Sequence, residues 1–254
     1  MEEVEKIYCH QCQAEQTLAY KFCGNCGAKN LALFKARIRS EQKFDDNMKL
    51  LVTYSALIVV ALIINMVIED SLISIVVITV AFALLDVIFS LLQPGVWKLV
   101  FKKISLKPIF WIVPAFICSG FFVGFLMDNL NALLFPGEFW LDYSYYFEST
   151  SFPLIYSLII VAVFPAIFEE LAFRGFLFNN LKSISGANAA VWGSSFLFAL
   201  VHFSLLSLIW IFPFGLFLAR LRNKHETILY GVIAHFTHNA TVTMIEYYYG
   251  SLVI

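Results

Sequence analysis

Two adjacent carboxylates and an arginine, Glu169, Glu170 and Arg174, interrupt a long apolar stretch that runs from Leu154 to Phe178. Ionisable groups at membrane depth are costly, so they usually face the interior of a helix bundle, have a partner and mark a functional site. In a helix, Glu170 and Arg174 are four residues apart and can pair. Glu169 lies about 100° further round the helix and can face elsewhere. We therefore expect the rest of the chain to bring other polar groups to Glu169.

Further polar groups lie in the apolar stretches that follow: His202 ends Phe198-Ala-Leu-Val-His202, while His235 and Asn239 bracket His235-Phe-Thr-His-Asn239. Counting about 1.5 Å per residue from the expected cytoplasmic ends places all of them and Glu169 between about 13 and 22 Å deep. Taken alone, each histidine is as well explained by a hydrogen bond to a neighbouring helix. The shared depth favours one site over unrelated packing groups.

These residue types predict hydrolysis. A glutamate with a histidine can activate a water, either directly or on a metal ion. An asparagine and a second histidine can hold the oxyanion that develops on an attacked carbonyl. The sequence has no HExxH pair and no Gly-x-Ser-x-Gly elbow, which argues against a zincin helix and against a serine hydrolase of that type. The set predicts peptide hydrolysis inside the membrane.

The motifs resemble those of the CAAX protease and bacteriocin-processing family, also called the Abi family, which are intramembrane endopeptidases. The resemblance covers about residues 150–245 and is carried by three motifs in order, Glu169-Glu170-x3-Arg174, Phe198-x3-His202 and His235-x3-Asn239. It implies that Glu169 is the catalytic carboxylate and that His202, His235 and Asn239 complete the site. Glu170 and Arg174 match the remaining motif positions.

The resemblance also implies a range of catalytic types and substrates. Members have been described both as metalloproteases and as metal-free glutamate proteases, so a catalytic Zn²⁺ stays undecided. Eukaryotic relatives trim the last three residues of prenylated CAAX proteins, and bacterial relatives are linked to peptide maturation or bacteriocin self-immunity. The expected partners are membrane lipid and a peptide or lipidated protein substrate. The alternative function is that of a non-hydrolytic immunity or interaction protein which binds a peptide or partner in the same bundle.

Composition predicts a membrane protein. Hydrophobic residues make up 60% of the 254 residues and charged residues 14%, whereas a soluble domain has about 45–50% and about 25%. Several apolar stretches reach the roughly 20 residues that span a bilayer. We predict an all-α, polytopic transmembrane bundle with spans near 49–68, 72–92, 109–127, 152–181, 187–203, 205–221 and 227–247. The net charge of −1 gives no indication of a nucleic-acid partner, and none is expected.

The basic residues predict an orientation in the cell membrane. After residue 49, the Lys and Arg residues outside the spans fall in alternate loops, while the loops 69–71 and 128–151 are acidic. By the positive-inside rule the N-terminus is cytoplasmic and the C-terminus external. The spans 187–203 and 205–221 are short and share a tight hairpin near Phe203-Ser204, so whether they fully cross is left open.

The N-terminal residues predict a small metal module. Cys9-x2-Cys12 and Cys23-x2-Cys26 resemble the knuckles of a zinc-ribbon, whose four thiolates hold structural Zn²⁺ in a tetrahedron. Two disulfides are the alternative, but they require an oxidising compartment. The predicted division is a zinc-ribbon at 1–30, a charged linker or short amphipathic helix at 31–48, and a bundle at 49–250 with its protease-like core at about 150–245.

Two polar residues elsewhere in the predicted spans have weaker interpretations. Asp86 is expected to be a buried partner for Arg174 or a helix-packing group. Cys118 lies alone in an apolar stretch, where we expect it to act as a small buried hydrophobe.

Overall fold

The computed structural model of the chain describes residues 7–69, 71–134, 143–202 and 208–249. It divides into two compact units, Met1–Leu50 and Leu51–Ile254. The predicted fold class is confirmed, because helices make up almost all of the described residues apart from a small N-terminal strand pair beside the cysteines. The hairpin predicted near Phe203-Ser204 lies outside the described residues.

The first unit begins with two similar turns that carry the cysteines. Strand β1 (Ile7–Tyr8) pairs antiparallel with β2 (Glu15–Gln16). The amide of Cys9 donates to Ala14 O at 2.9 Å, and the amide of Cys23 donates to Ala28 O at 2.8 Å. The two cysteine pairs therefore sit in equivalent hydrogen-bonded knuckles, as their matching spacing predicts.

Helix α1 (Leu31–Val67) follows and contains both the predicted charged linker and the first predicted span. Asn30 starts it, since its side-chain oxygen accepts from the amide of Leu33 at 3.2 Å, which satisfies one of the free amides at a helix N-terminus. Helix α2 (Leu72–Leu91) starts with a capping box between Ser71 and Ser74. Helices α3 (Pro94–Val100) and α4 (Leu106–Leu134) complete the first half of the bundle.

The second half contains a long helical stretch of mixed geometry. It consists of α5 (Pro153–Ser157), a π-helical segment π1 (Leu158–Val163), α6 (Phe164–Glu169), a second π-helical segment π2 (Glu170–Leu177) and α7 (Phe178–Leu200). The backbone leaves the helical region at Gly186, where φ is +87°, a conformation that glycine adopts without strain. That break falls between the predicted spans 152–181 and 187–203.

Helices α8 (Leu208–His225) and α9 (Leu229–Tyr249) end the described chain. Helix α9 packs along α4 and π1, while α8 packs along α7. Segment π2 contacts α2, α7 and α8, so the polar motif residues lie at the centre of the second unit. This packing brings the three sequence motifs together.

Four stretches are long and apolar enough to cross a membrane by length and composition, Leu31–Val67, Leu72–Leu91, Leu106–Leu134 and Pro153–Leu200. Large apolar side chains such as Ile73, Phe110 and Trp111 are mostly exposed on the outer faces, which suits contact with lipid tails. These features, together with the apolar composition, confirm the prediction of a membrane protein.

The prediction for Cys118 is wrong, because this side chain is exposed. Helix α4 buries Ile112, Phe116, Gly120 and Val123. Cys118 is two residues from both Phe116 and Gly120, so it lies about 200° round the helix from each. It therefore belongs to the outward face of α4.

Candidate active site

Glu170 and Arg174 form a fully buried ion pair at the start of π2. Arg174 Nη1 donates to Glu170 Oε1 at 2.7 Å, and both side chains are 0% exposed. Arg174 Nη2 also donates to Gly215 O on α8 at 3.2 Å, and its guanidinium lies 4.2 Å from the centroid of the Phe198 ring. The pair is thus held on several sides, while Arg174 Nε and Glu170 Oε2 have no hydrogen-bond partner among the described residues.

His235 on α9 lies between the two adjacent carboxylates. Its Nδ1 is 3.3 Å from Glu170 Oε1, and its Nε2 is 3.8 Å from Glu169 Oε2. A carboxylate paired with an arginine accepts hydrogen bonds, so His235 Nδ1 carries the proton that it donates to Glu170. In the neutral ring, Nε2 then presents a lone pair toward Glu169.

Helix α9 can approach Glu170 this closely because Gly231 stands one turn before His235. A Cβ at Gly231 would collide with the Glu170 carboxylate. Glu169 is in a different environment, since its side chain is 29% exposed, against 0% for Glu170. Among the described residues, Glu169 Oε2 is buried without a hydrogen-bond partner, so this atom is available to a small ligand such as water.

His202 follows the end of α7, and its ring orientation is fixed by the backbone. Its Nδ1 is 2.7 Å from Phe198 O. Because a carbonyl only accepts, Nδ1 carries the proton and Nε2 keeps a lone pair. Histidines that bind metal ions or act as bases are commonly oriented by such a bond.

Asn239 lies one turn beyond His235 on α9. Its Nδ2 donates to Val161 O in π1 at 2.9 Å, which fixes which end of the amide is the donor. One N–H of the amide group is used in this bond, and a second remains.

All four residues of the predicted reaction centre line one cavity of about 520 Å³, namely Glu169, His202, His235 and Asn239. Glu170 and Arg174 do not line it and lie behind Glu169 and His235. The cavity wall also carries the polar side chains of Asp128, Asn131 and Glu246. The structure thus groups the predicted residues into an inner set facing the cavity and an ion pair supporting it.

A second cavity, of about 350 Å³, shares Glu169 and His202 with the first. It is lined by apolar residues of α1, α2 and α6, and by Tyr54 and Asp86. Tyr54 donates its hydroxyl to Asp86 Oδ1 at 2.7 Å. Asp86 is therefore a packing group bonded to Tyr54 rather than the partner of Arg174.

Sequence reasoning gave no role in the site to three residues that support this region, Tyr54, Arg222 and His238. Buried Arg222 donates from Nε to Arg174 O at 3.1 Å. His238 is buried on the cavity wall with Nδ1 3.2 Å from Ser119 Oγ. Arg222 was counted only as one of the basic residues that set orientation. No local pattern in the sequence distinguishes it from its neighbours Arg220 and Lys224.

The four N-terminal cysteines form a separate metal-binding geometry. Their sulfur atoms all lie within 4.8 Å of one another, with Cys9 Sγ 3.6 Å from Cys26 Sγ and Cys12 Sγ 3.7 Å from Cys23 Sγ. Four sulfurs at about 2.3 Å from a tetrahedral Zn²⁺ would be about 3.8 Å apart. The cysteines are thus positioned to hold a metal ion.

The electrostatics of the same cluster favour the thiolate form at Cys12 but not at Cys26: a backbone hydrogen bond at Ala28 lowers the pKa of Cys26, but contact with the Cys12 side chain and burial raise it to about 12. The pKa of Cys12 is lowered to about 6, mainly by a hydrogen bond from the backbone amide of Ala14 and then by the Asn25 side chain. A thiolate rather than a thiol is the metal ligand.

Comparison with protein-family models finds a match to the segment that carries the motifs. Residues 150–241 match the family described as Rce1-like, type II CAAX prenyl endopeptidase Rce1-like. Comparisons with curated proteins and with solved structures found no match. The predicted resemblance to CAAX proteases is therefore confirmed for this segment, whose ends bracket Glu169, His202, His235 and Asn239.

Proposed function

We propose, from the match of residues 150–241 to the Rce1-like family, that this chain is an intramembrane endopeptidase which hydrolyses a peptide bond by glutamate-activated water. The observation that carries the proposal is the shared cavity lined by Glu169, His202, His235 and Asn239. The lone pairs of His202 Nε2 and His235 Nε2 and the unpaired Glu169 Oε2 are the acceptors that a reacting water needs.

In the proposed reaction, Glu169 accepts a proton from water while the water oxygen bonds to the carbonyl carbon of the substrate. His202 Nε2 accepts a hydrogen bond from the same water and orients it. The remaining N–H of Asn239 donates to the oxyanion that forms. The carbon–nitrogen bond then breaks as Glu169 returns its proton to the leaving amine, which regenerates the carboxylate.

Glu170 and Arg174 act in this scheme without touching substrate. Arg174 holds the Glu170 carboxylate in place as a hydrogen-bond acceptor, and this carboxylate orients His235 by accepting from its Nδ1. His235 Nε2 is thereby aimed at Glu169. Removal of either member of the pair leaves an uncompensated buried charge.

The donor types of the same residues also suit a catalytic metal ion, although among the described residues only the four cysteines have donor atoms already grouped closely enough to hold one. Glu169, His202 and His235 would hold it, because each histidine already donates Nδ1–H to an oxygen, as metal-bound histidines do. Such an ion, when bound, lowers the pKa of a bound water to about 7. The metal content and the proteolytic activity of purified Cys9→Ser, Cys12→Ser protein are measured together. Metal that remains in the active variant would indicate a metalloprotease, and activity without metal would indicate a glutamate protease.

For the N-terminal unit we propose one structural Zn²⁺ on Cys9, Cys12, Cys23 and Cys26. The sulfur spacing and the lowered pKa of Cys12 support it. We also propose that this unit is cytoplasmic, because the basic loop residues alternate with acidic loops along the chain.

The proposed substrates are prenylated or otherwise membrane-associated peptides. The experiment uses the full chain in proteoliposomes with a farnesylated CAAX peptide and with the same peptide unfarnesylated, and identifies the products by mass spectrometry. Release of a C-terminal fragment by wild type but not by Glu169→Gln protein supports the proposal. Binding of either peptide without cleavage overturns it in favour of a non-hydrolytic interaction protein. Peptide maturation and bacteriocin self-immunity stay predictions.

A further inference from the structure

At the end of segment π2, one α-helical hydrogen bond is replaced by a wider one. In an α-helix the amide of residue 178 would donate to the carbonyl of residue 174. Here the amide of Phe178 donates to Gly175 O and Phe173 O and bypasses Arg174 O. The Arg174 carbonyl thereby loses this donor, and a buried carbonyl needs a donor.

Helix α8 supplies that donor through Arg222. Its Nε donates to Arg174 O at 3.1 Å, and its Nη2 donates to Asn179 Oδ1 at 2.9 Å. The guanidinium lies 5.1 Å from the centroid of the Phe178 ring, and the residue is 5% exposed. The rigid fork of an arginine makes two such bonds in a fixed direction.

The contact between α8 and Arg174 is reciprocal. Arg222 donates to the backbone of Arg174, while the side chain of Arg174 donates to the backbone of Gly215. Gly215 and Arg222 are seven residues apart, about two helical turns, and so lie on one face of α8. One helix face therefore fixes both ends of Arg174, which in turn holds Glu170.

We propose that Arg222 is a positioning residue which stabilises the π-helical turn and thereby fixes the direction of Glu169 and Glu170. The expected effect of Arg222 on catalysis rests on the proposed function. Arg222 does not line either cavity that contains Glu169, so it acts through Arg174 and not on substrate. Its loss is expected to impair the chemical step more than substrate binding.

The test compares Arg222→Met, which keeps length and removes every donor, with Arg222→Lys, which keeps a charge and a single donor centre. Arg220→Met is the matched control, because Arg220 is an exposed arginine on the same helix. We expect Arg222→Met to lower kcat about a hundredfold, the scale of a misplacement of about 1 Å, while KM stays within about twofold. Arg222→Lys should recover part of kcat, and Arg220→Met should match wild type.

A second measurement does not depend on activity. Hydrogen exchange of the amides of residues 170–178 should accelerate in Arg222→Met and not in Arg220→Met, because the turn loses its donor. Accelerated exchange in Arg222→Met protein, together with no proteolysis by the wild-type protein, would support the role of Arg222 in the turn and overturn the proposed function. Wild-type kcat in folded Arg222→Met protein, or unchanged exchange, would overturn the role of Arg222. If Arg222→Met does not fold, the same criteria apply to Arg222→Lys.

Discussion

Glu169 and Glu170 are neighbours in the chain, but their surroundings differ. Glu170 is completely enclosed and contacts Arg174 and His235, whereas Glu169 reaches the cavity. A fully buried carboxylate in an ion pair suits a supporting role, and a partly exposed carboxylate that lines the cavity suits proton transfer.

We predict that Glu169→Gln abolishes proteolysis and preserves the fold. The amide has the same shape but accepts no proton from water, so kcat should fall by at least about a hundredfold. The measurements are reporter-peptide cleavage and thermal unfolding in detergent. Full activity in Glu169→Gln protein would rule out Glu169 as the base.

Glu170→Gln should instead destabilise the protein. Arg174 would lose its counter-charge in the bundle, at an expected cost of about 3–5 kcal/mol in the free energy of unfolding. The same two assays, run in parallel on both variants, separate the residues. Equal destabilisation by the two substitutions would mean that both carboxylates are structural.

Gly231→Ala should act through Glu170. The added methyl group collides with the Glu170 carboxylate, and overpacking of this kind destabilises by about 1–3 kcal/mol. Gly124→Ala is the control, because a Cβ there meets open space. The readout is thermal unfolding, and equal melting temperatures for the two variants would contradict the close approach of α9.

At the scale of elements, the helices and the two cysteine knuckles follow from patterns that the sequence displays. Continuous apolar stretches predict the spans, and paired Cys-x2-Cys spacing predicts the knuckles. The π-helical turn at Glu170–Leu177 has no such signal, because it depends on Arg222 from a distant helix. The motif spacing identified Glu169, His202, His235 and Asn239 as a group. It did not reveal that His235 lies between both carboxylates, since that depends on how α9 packs.

The predicted ribbon at residues 1–30 is expected to bind one zinc per chain and to depend on it for folding, since 30 residues bury too little core alone. Cys9→Ser with Cys12→Ser should abolish that zinc, whereas Cys118→Ser should retain it because Cys118 lies far along the chain in α4. Metal analysis of the purified proteins gives the answer. Unchanged zinc content in the double variant would refute the site.

At the scale of the whole molecule, the distribution of charge predicts the side of the membrane on which each loop lies. Ser149→Cys in a Cys118→Ser background should react with a membrane-impermeant maleimide in intact cells. Ser185→Cys should react only after lysis. Both positions have exposed side chains, so reagent access reports on sidedness, and the reverse pattern would mean an inverted topology.

The position of α9 in the chain also has a consequence for biosynthesis. Glu170 and Arg174 lie within one stretch and neutralise each other there, so their pair can enter the bilayer before later helices are made. His235 and Asn239 arrive only with α9, the last described helix. A nascent chain that has not yet inserted α9 therefore holds the carboxylates but lacks the His235 imidazole and the Asn239 amide, which complete the cavity. On the proposed function, hydrolysis therefore requires the insertion of α9, and a chain stalled before that step is inactive.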